Sequence, residues 1–170
     1  MLLGFALLYV GAVLFLNGIW LLGRIDDKEI VVINVVSGVV TLCVALYWAF
    51  GAGADGASIR AAALTILFTT TYLWVAYNRV VAVDGRGLGW FSLFVAITVV
   101  PVAIQGLSSA QTVTEIWLGL NWVIWAVLWF MYFLLLALQR PILKPTALFT
   151  LMAGILTGWL PGFLLLEGAL

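Results

Sequence analysis

Residues 30–50 read IVVINVVSGVVTLCVALYWAF, without one charged side chain, between Arg24-Ile-Asp-Asp-Lys-Glu29 and Gly51-Ala-Gly-Ala-Asp-Gly56. At about 1.5 Å per helical residue, such a run crosses the roughly 30 Å hydrocarbon core of a bilayer. Lipid offers the backbone no hydrogen-bond partners, so a lone apolar span must satisfy itself as an α-helix. The run predicts a transmembrane helix, and the chain repeats it. Leu2–Leu22, Ile30–Phe50, Arg60–Asn78, Leu88–Leu107, Ile116–Leu138 and Pro145–Leu166 give six spans in one domain, residues 1–170. Nearly all the polar punctuation falls between them.

Composition agrees with this reading. The 170 residues are 66% hydrophobic and 8% charged, against about 25% charged in soluble domains. Seven basic and seven acidic residues cancel, and without a basic face nucleic acid is excluded as a partner. Histidine is absent, which removes His-ligated metals, His-based catalysis and the usual pH switch. The single Cys43, inside the second run, is expected to be an inert buried side chain. The chain is apolar from Leu2 with neither a basic n-region nor an A-x-A-like site, so it reads as a retained first span.

Arg24, Lys28, Arg79, Arg86, Arg140 and Lys144 lie in or beside the first, third and fifth connections; only Arg60 lies near the second. The positive-inside rule makes the first group cytoplasmic and places both termini outside. No Asp, Glu, Lys or Arg stands in the middle of any span. Ion-coupled transporters need such groups, and enzymes need nucleophile–base pairs, carboxylate pairs or metal clusters. The inventory predicts no catalysis and no cofactor. Anything that crosses is neutral and moves down its gradient.

What the spans do hold is aromatic side chains at depth. Trp122, Trp125, Trp129 and Tyr132 form a helical i, i+3, i+7, i+10 stripe on the fifth span. Trp in membranes prefers the interface, and two indole N–H groups near mid-span need partners or a polar path. The odd-numbered spans share one direction. Counting from their midpoints puts Val10, Phe68 and Trp125 at one level, and Leu14, Tyr72 and Trp129 at a second, to within about 1.5–2 Å. Two readings stay open: paired constrictions in a pore, or plain helix packing. Asn17 and Asn78 read as helix glue or caps, and Ser37, Gly38, Gly154 and Gly158 as close-contact positions. Thr98–Pro101 and Thr157–Pro161 look alike, a faint sign of repeated hairpins.

Five blocks resemble the bacterial urea/amide channel family, UreI/AmiS: Leu7-Leu-Tyr-Val-Gly-Ala-Val-Leu-Phe-Leu-Asn-Gly18, Thr71-Tyr-Leu-Trp-Val-Ala-Tyr-Asn78, Trp90-Phe-Ser-Leu-Phe-Val-Ala-Ile97, Trp125-Ala-Val-Leu-Trp129 and Gly154-Ile-Leu-Thr-Gly-Trp-Leu-Pro161. The resemblance implies an all-α, six-helix protomer of three hairpins around its own pore. It further implies a homohexamer in the inner membrane that passes urea or short aliphatic amides to cytoplasmic ureases or amidases. Matched by position, the pore would be lined by Leu3, Leu7, Val10, Leu14 and Asn17 from the first span. Phe68 and Tyr72 would come from the third, and Trp122, Trp125, Leu128 and Trp129 from the fifth. Acid-gated members carry histidines and extra acidic residues in long outer loops, and a carboxylate where this chain has Ala153. Their absence points to the amide-facilitator branch without acid gating. A urea-selective channel and a non-transporting membrane scaffold are the competing expectations.

Overall fold

The computed structural model describes all residues, 1–170, as helices joined by short connections. The elements are α1 (Leu2–Leu21), α2 (Ile30–Phe50), α3 (Gly56–Val81), α4 (Arg86–Ser108) and α5 (Val113–Tyr132). They end with α6 (Leu143–Ala153) and α7 (Leu160–Leu166). A π-helical turn, Phe133–Ala137, prolongs α5, and a second, Gly154–Trp159, fuses α6 and α7 into one sixth span. Six helical stretches are long and apolar enough to cross a membrane, as the hydropathy predicts.

Local chemistry moves some boundaries. The third span starts earlier than Arg60 because Asp55 caps it reciprocally with Ser58, Ser58 N donating to Asp55 Oδ1 (2.7 Å) and Asp55 N to Ser58 Oγ (2.9 Å). Thr112 and Glu115 do the same for the fifth, which begins at Val113. At its other end α3 runs on through Arg79 to Val81 and stops where Ala82 turns left-handed (φ 53°). Neither π-turn was legible in the hydropathy.

Three antiparallel pairs make up the bundle: α2 with α3, α4 with α5, and α1 with the sixth span. The first two are hairpins closed by connections 51–55 and 109–112, whereas the third joins the two ends of the chain. Its seam is made of glycine. On α1, Gly4 and Gly11 meet Gly162 and Gly158 of the sixth span, Gly154 packs on Gly11, Leu14 and Phe15, and Gly18 lies against Leu151. A Cβ on Gly11 would stand 2.1 Å from Trp159 N, and one on Gly158 2.4 Å from Gly11 Cα. Small residues let membrane helices pack backbone to backbone, where dispersion replaces the missing hydrophobic drive. Gly154 and Gly158 thus act as anticipated, and the α1 half of the seam is new.

The bundle is apolar outside and sets polar side chains within its apolar core. Val32, Phe94, Ile97, Ile104 and Phe130 are exposed, while Asn34, Ser37, Thr41, Asn121, Thr146, Thr150 and Thr157 are fully buried. Each of these side chains makes at least one hydrogen bond, as burial away from water favours. Asn17 and Asn34 exchange amide hydrogen bonds (2.7 and 3.2 Å), Thr41 meets Thr69 (2.8 Å), and Ser37 donates to the Tyr9 carbonyl (3.1 Å). Cys43 departs from expectation. Thr41, Val44 and Ala45 take the inward face of α2, so helical periodicity turns Cys43 outward, where it is exposed.

The two Thr-to-Pro segments also differ. Pro101 sits within an unbroken α4, whereas Pro161 follows the π-turn of the sixth span. Pro161 has no N–H for the carbonyls one turn earlier. Two side chains of α5 answer them: Trp117 Nε1 donates to the Leu156 carbonyl (3.0 Å) and Asn121 Nδ2 to that of Thr157 (3.2 Å).

Candidate functional site

Where α1, α3, α4 and α5 converge, Leu7, Val10, Leu14, Phe68, Tyr72, Trp125, Leu128 and Trp129 belong to one buried cluster, which also takes in Val95, Ala96 and Val99 of α4. Phe68 is its hub, with ring centroids 4.8 Å from Trp125, 4.7 Å from Trp129 and 6.3 Å from Tyr72. Because it touches both tryptophans almost equally, the two levels inferred by counting interlock into one zone of rings. Edge and tilted contacts of this kind add to the area these rings bury.

A line of cavities follows this zone. The first, ≈30 Å³, is walled by Leu14, Phe68, Thr71, Tyr72, Trp125, Leu128, Trp129 and Tyr132. The second, ≈20 Å³, shares Leu14, Thr71, Tyr72 and Tyr132 with it and adds Asn17, Val75, Leu88 and Ser92. A third, ≈40 Å³, shares Val75, Leu88 and Tyr132 with the second and reaches Trp20, Asn78, Arg79 and Gly85 at the basic end. At the opposite end a wider polar vestibule of ≈300 Å³ holds Arg60, Gln105, Glu115 and Trp122. Trp122 connects it to the rings, 5.0 Å from Trp125 and 6.1 Å from Phe68. The inner cavities have room for water molecules, each needing roughly 10–15 Å³. No Asp, Glu, Lys or Arg lines the first two.

Hydrogen bonding separates the polar groups that hold the wall from those left open. Trp125 Nε1 donates to Thr157 Oγ1 (2.8 Å), which donates on to the Ala153 carbonyl (2.6 Å). Trp129 Nε1 donates to Thr71 Oγ1 (3.2 Å), and the Tyr132 hydroxyl meets Thr150 Oγ1 (3.0 Å). The indole N–H groups are therefore engaged by neighbouring helices. The Tyr72 hydroxyl, in contrast, is buried and has no partner.

Of the remaining sequence-derived residues, Asn17 borders the second cavity with its amide engaged by Asn34. Leu7 and Val10 lie in the cluster without bordering the cavities, and Leu3, 40% exposed at the start of α1, lies outside the cluster. Ala153 is buried within it.

Comparison with known proteins meets this geometry. The AmiS/UreI family transporter model matches residues 2–169. The chain belongs to the AmiS/UreI family. An amidate substrates transporter protein of Mycolicibacterium smegmatis is 42% identical over 97% of this chain and 76% of its own length. The acid-activated urea channel of Helicobacter pylori is 35% identical over 96% of each protein. Its structure in the closed state, solved by electron cryomicroscopy, matches with a TM-score of 0.84 and 36% identity over 97% of each chain. The sequence alignment with that channel runs over 188 positions, more than this chain contains, so the urea channel has residues without counterpart here. The AmiS/UreI family is one of transporters and channels, not enzymes, in keeping with the missing catalytic inventory.

In this AmiS/UreI member, sequence reasoning passed over Thr71 and Thr157, the acceptors that fix Trp129 and Trp125, and Asn121, which braces the Pro161 region. Tyr132 borders all three inner cavities, and its i+10 place in the Trp stripe was the available signal. Threonines carry no such signal, because in membrane helices they commonly bond their own backbone, as Thr65, Thr70 and Thr98 do here.

Proposed function

We propose that this protein is a passive channel for small neutral amides, urea and short aliphatic amides among them, in a bacterial inner membrane. The reading rests on one observation above the others: two adjoining cavities without an ionised side chain, the first walled by Phe68, Tyr72, Trp125 and Trp129, lie between a polar vestibule and a third cavity at the basic end. An amide is flat, neutral and rich in donors and acceptors. Ring faces accept it edge-on or stacked, and the Tyr72 hydroxyl offers one hydrogen bond without forming a deep trap. Weak binding at successive points favours release. Leu14 and Leu128 at the same depth interrupt water chains and so oppose ion and proton leakage. On this reading the basic end is cytoplasmic, both termini are outside, the chain works as a homohexamer, and the solute feeds a cytoplasmic amidase or urease.

The test is flux. Proteoliposomes holding the protein should equilibrate urea and acetamide faster than empty vesicles, with no pH or sodium gradient imposed. A rate that follows an applied proton gradient overturns the passive mechanism, and absence of protein-dependent flux favours the scaffold.

We further propose that acid does not gate the pore. Histidine, the usual switch between about pH 5 and 8, is absent. The backbone N–H of Ser58, with the Ser58 hydroxyl second, holds the Asp55 carboxyl below its ordinary 3.8. Hydrogen bonds to the ionised form lower a carboxyl pKa, so Asp55 keeps its charge through the mildly acid range and loses it only below that value. Glu115 Oε2 accepts from Gln111 N (2.7 Å) and Thr112 N (3.0 Å) at the head of α5. Urea permeability should change by less than about twofold between about pH 5 and 7.5. A several-fold rise on acidifying the outside alone would refute the ungated reading.

A further inference from the structure

Buried side-chain nitrogen and oxygen atoms without a partner number four in this protein: Tyr72 hydroxyl, Asn78 Oδ1, Arg79 Nε and Asn121 Oδ1. Most buried groups find partners, so each exception requires a reason. Asn78 and Arg79 are adjacent in sequence, and both line the ≈40 Å³ cavity at the basic end. One orphan is an acceptor and the other a donor. Asn78 is 3% exposed, and nothing on its own helix or on α4 uses its oxygen. A helix-gluing asparagine looks different here: Asn17 and Asn34 close on each other.

The surroundings hold Arg79 without using its Nε. Its Nη1 lies 3.4 Å from Asp27 Oδ2, and its guanidinium sits 5.3 Å from the centroid of the Trp20 ring. Trp20 Nε1 in turn donates to Asp27 Oδ1 (2.7 Å). Asp27 and Trp20 thus engage the guanidinium, while its Nε–H stays without a partner in a residue that lines the cavity. With its side chain 24% exposed and held by that one long ion pair, Arg79 is the wall that can yield to a solute larger than the cavity. Gly85 (φ 81°) completes the floor, where a Cβ would lie 3.4 Å from Asn78 Nδ2.

We propose that Asn78 and Arg79 form an amide-binding site at the basic end of the path, beyond the ring zone and distinct from it. A primary amide carries N–H and C=O side by side in one plane. Asn78 Oδ1 accepts its N–H, and Arg79 Nε–H donates to its carbonyl. A paired donor and acceptor selects amides and urea over alcohols and carboxylates of similar size, because an unmatched buried group costs more than a poor apolar fit. The ring zone sorts by shape, and this site sorts by chemistry at the end of the path. The inference rests on the channel reading given above.

The experiment is saturation of acetamide exchange in proteoliposomes of the full chain. Asn78→Leu removes the acceptor and Arg79→Lys removes the Nε–H while keeping the charge for Asp27. Each should raise the half-saturating acetamide concentration about fivefold, the equivalent of one ordinary hydrogen bond, with a smaller change in maximal rate. An unchanged half-saturation point, a loss confined to the maximal rate, or exchange that never saturates in the unsubstituted protein overturns the site. Should Asn78→Leu not assemble, Arg79→Lys decides alone. No acetamide exchange in the unsubstituted protein refutes the channel reading itself, and is thereby told apart from failure of this site.

Discussion

Trp129→Ala is expected both to loosen size selection and to weaken the fold. Its ring forms one side of the ≈30 Å³ cavity and packs 4.7 Å from Phe68, so truncation widens that cavity. Permeability to butyramide should rise relative to urea. The same change leaves a cavity, costing about 3–5 kcal/mol for a large aromatic. Loss of the indole N–H strands no donor, because Thr71 Oγ1 still bonds the Leu67 carbonyl at 2.8 Å. Trp129→Phe should therefore keep most of the selectivity, since the ring forms the wall and the N–H only anchors it. Trp122→Ala, at the wide vestibule, should matter less. Collapse of Leu14 or Leu128 into the space could mask the effect, so Leu14→Ala with Trp129→Ala belongs in the same series. If Trp129→Ala, Tyr72→Ala and this double variant assemble with an unchanged urea-to-butyramide ratio, the rings do not line the path.

The second large effect concerns the glycine seam. Gly158→Leu should abolish the folded protein rather than alter its transport. A Cβ there stands 2.4 Å from both Cα and N of Gly11, and backbone cannot swing aside as a flexible side chain can. Separating α1 from the sixth span also shifts Thr157, which holds Trp125, and the Leu156 carbonyl bonded by Trp117. The loss should exceed the 0.5–3 kcal/mol usual for single substitutions, by roughly the margin that marks a disrupted core. Detergent extraction followed by size-exclusion chromatography reads the result. Gly53→Ala, with nothing within 4 Å of its added Cβ, is the matched control and should behave as the parent. A Gly158→Leu protein that elutes and melts like the parent removes the seam from the account of stability.

Much of this protein was determined by its sequence alone. Six spans and the segregation of charge to their ends follow from hydropathy and from the cost of placing a charge in lipid, both of which act residue by residue. The family blocks, and the placing of Phe68 and Trp125 at one level and Leu14, Tyr72 and Trp129 at the next, follow from order and helical rise. The tertiary structure decided what depends on partners. Counting along odd-numbered spans cannot tell which helix a side chain faces, so it did not find that Thr157 and Thr71 occupy the two indole N–H groups. Nor could it place Cys43 on the outer surface, where an apolar run on a lipid-facing helix looks the same all round. The pairing of α1 with the sixth span depends on glycines far apart in the chain. Whether an atom of Asn78 or Arg79 is left without a partner likewise depends on which neighbours the fold brings to it. Hydropathy and length are sums over single residues, whereas a hydrogen bond and a backbone contact are properties of pairs, and only the folded chain brings those pairs together.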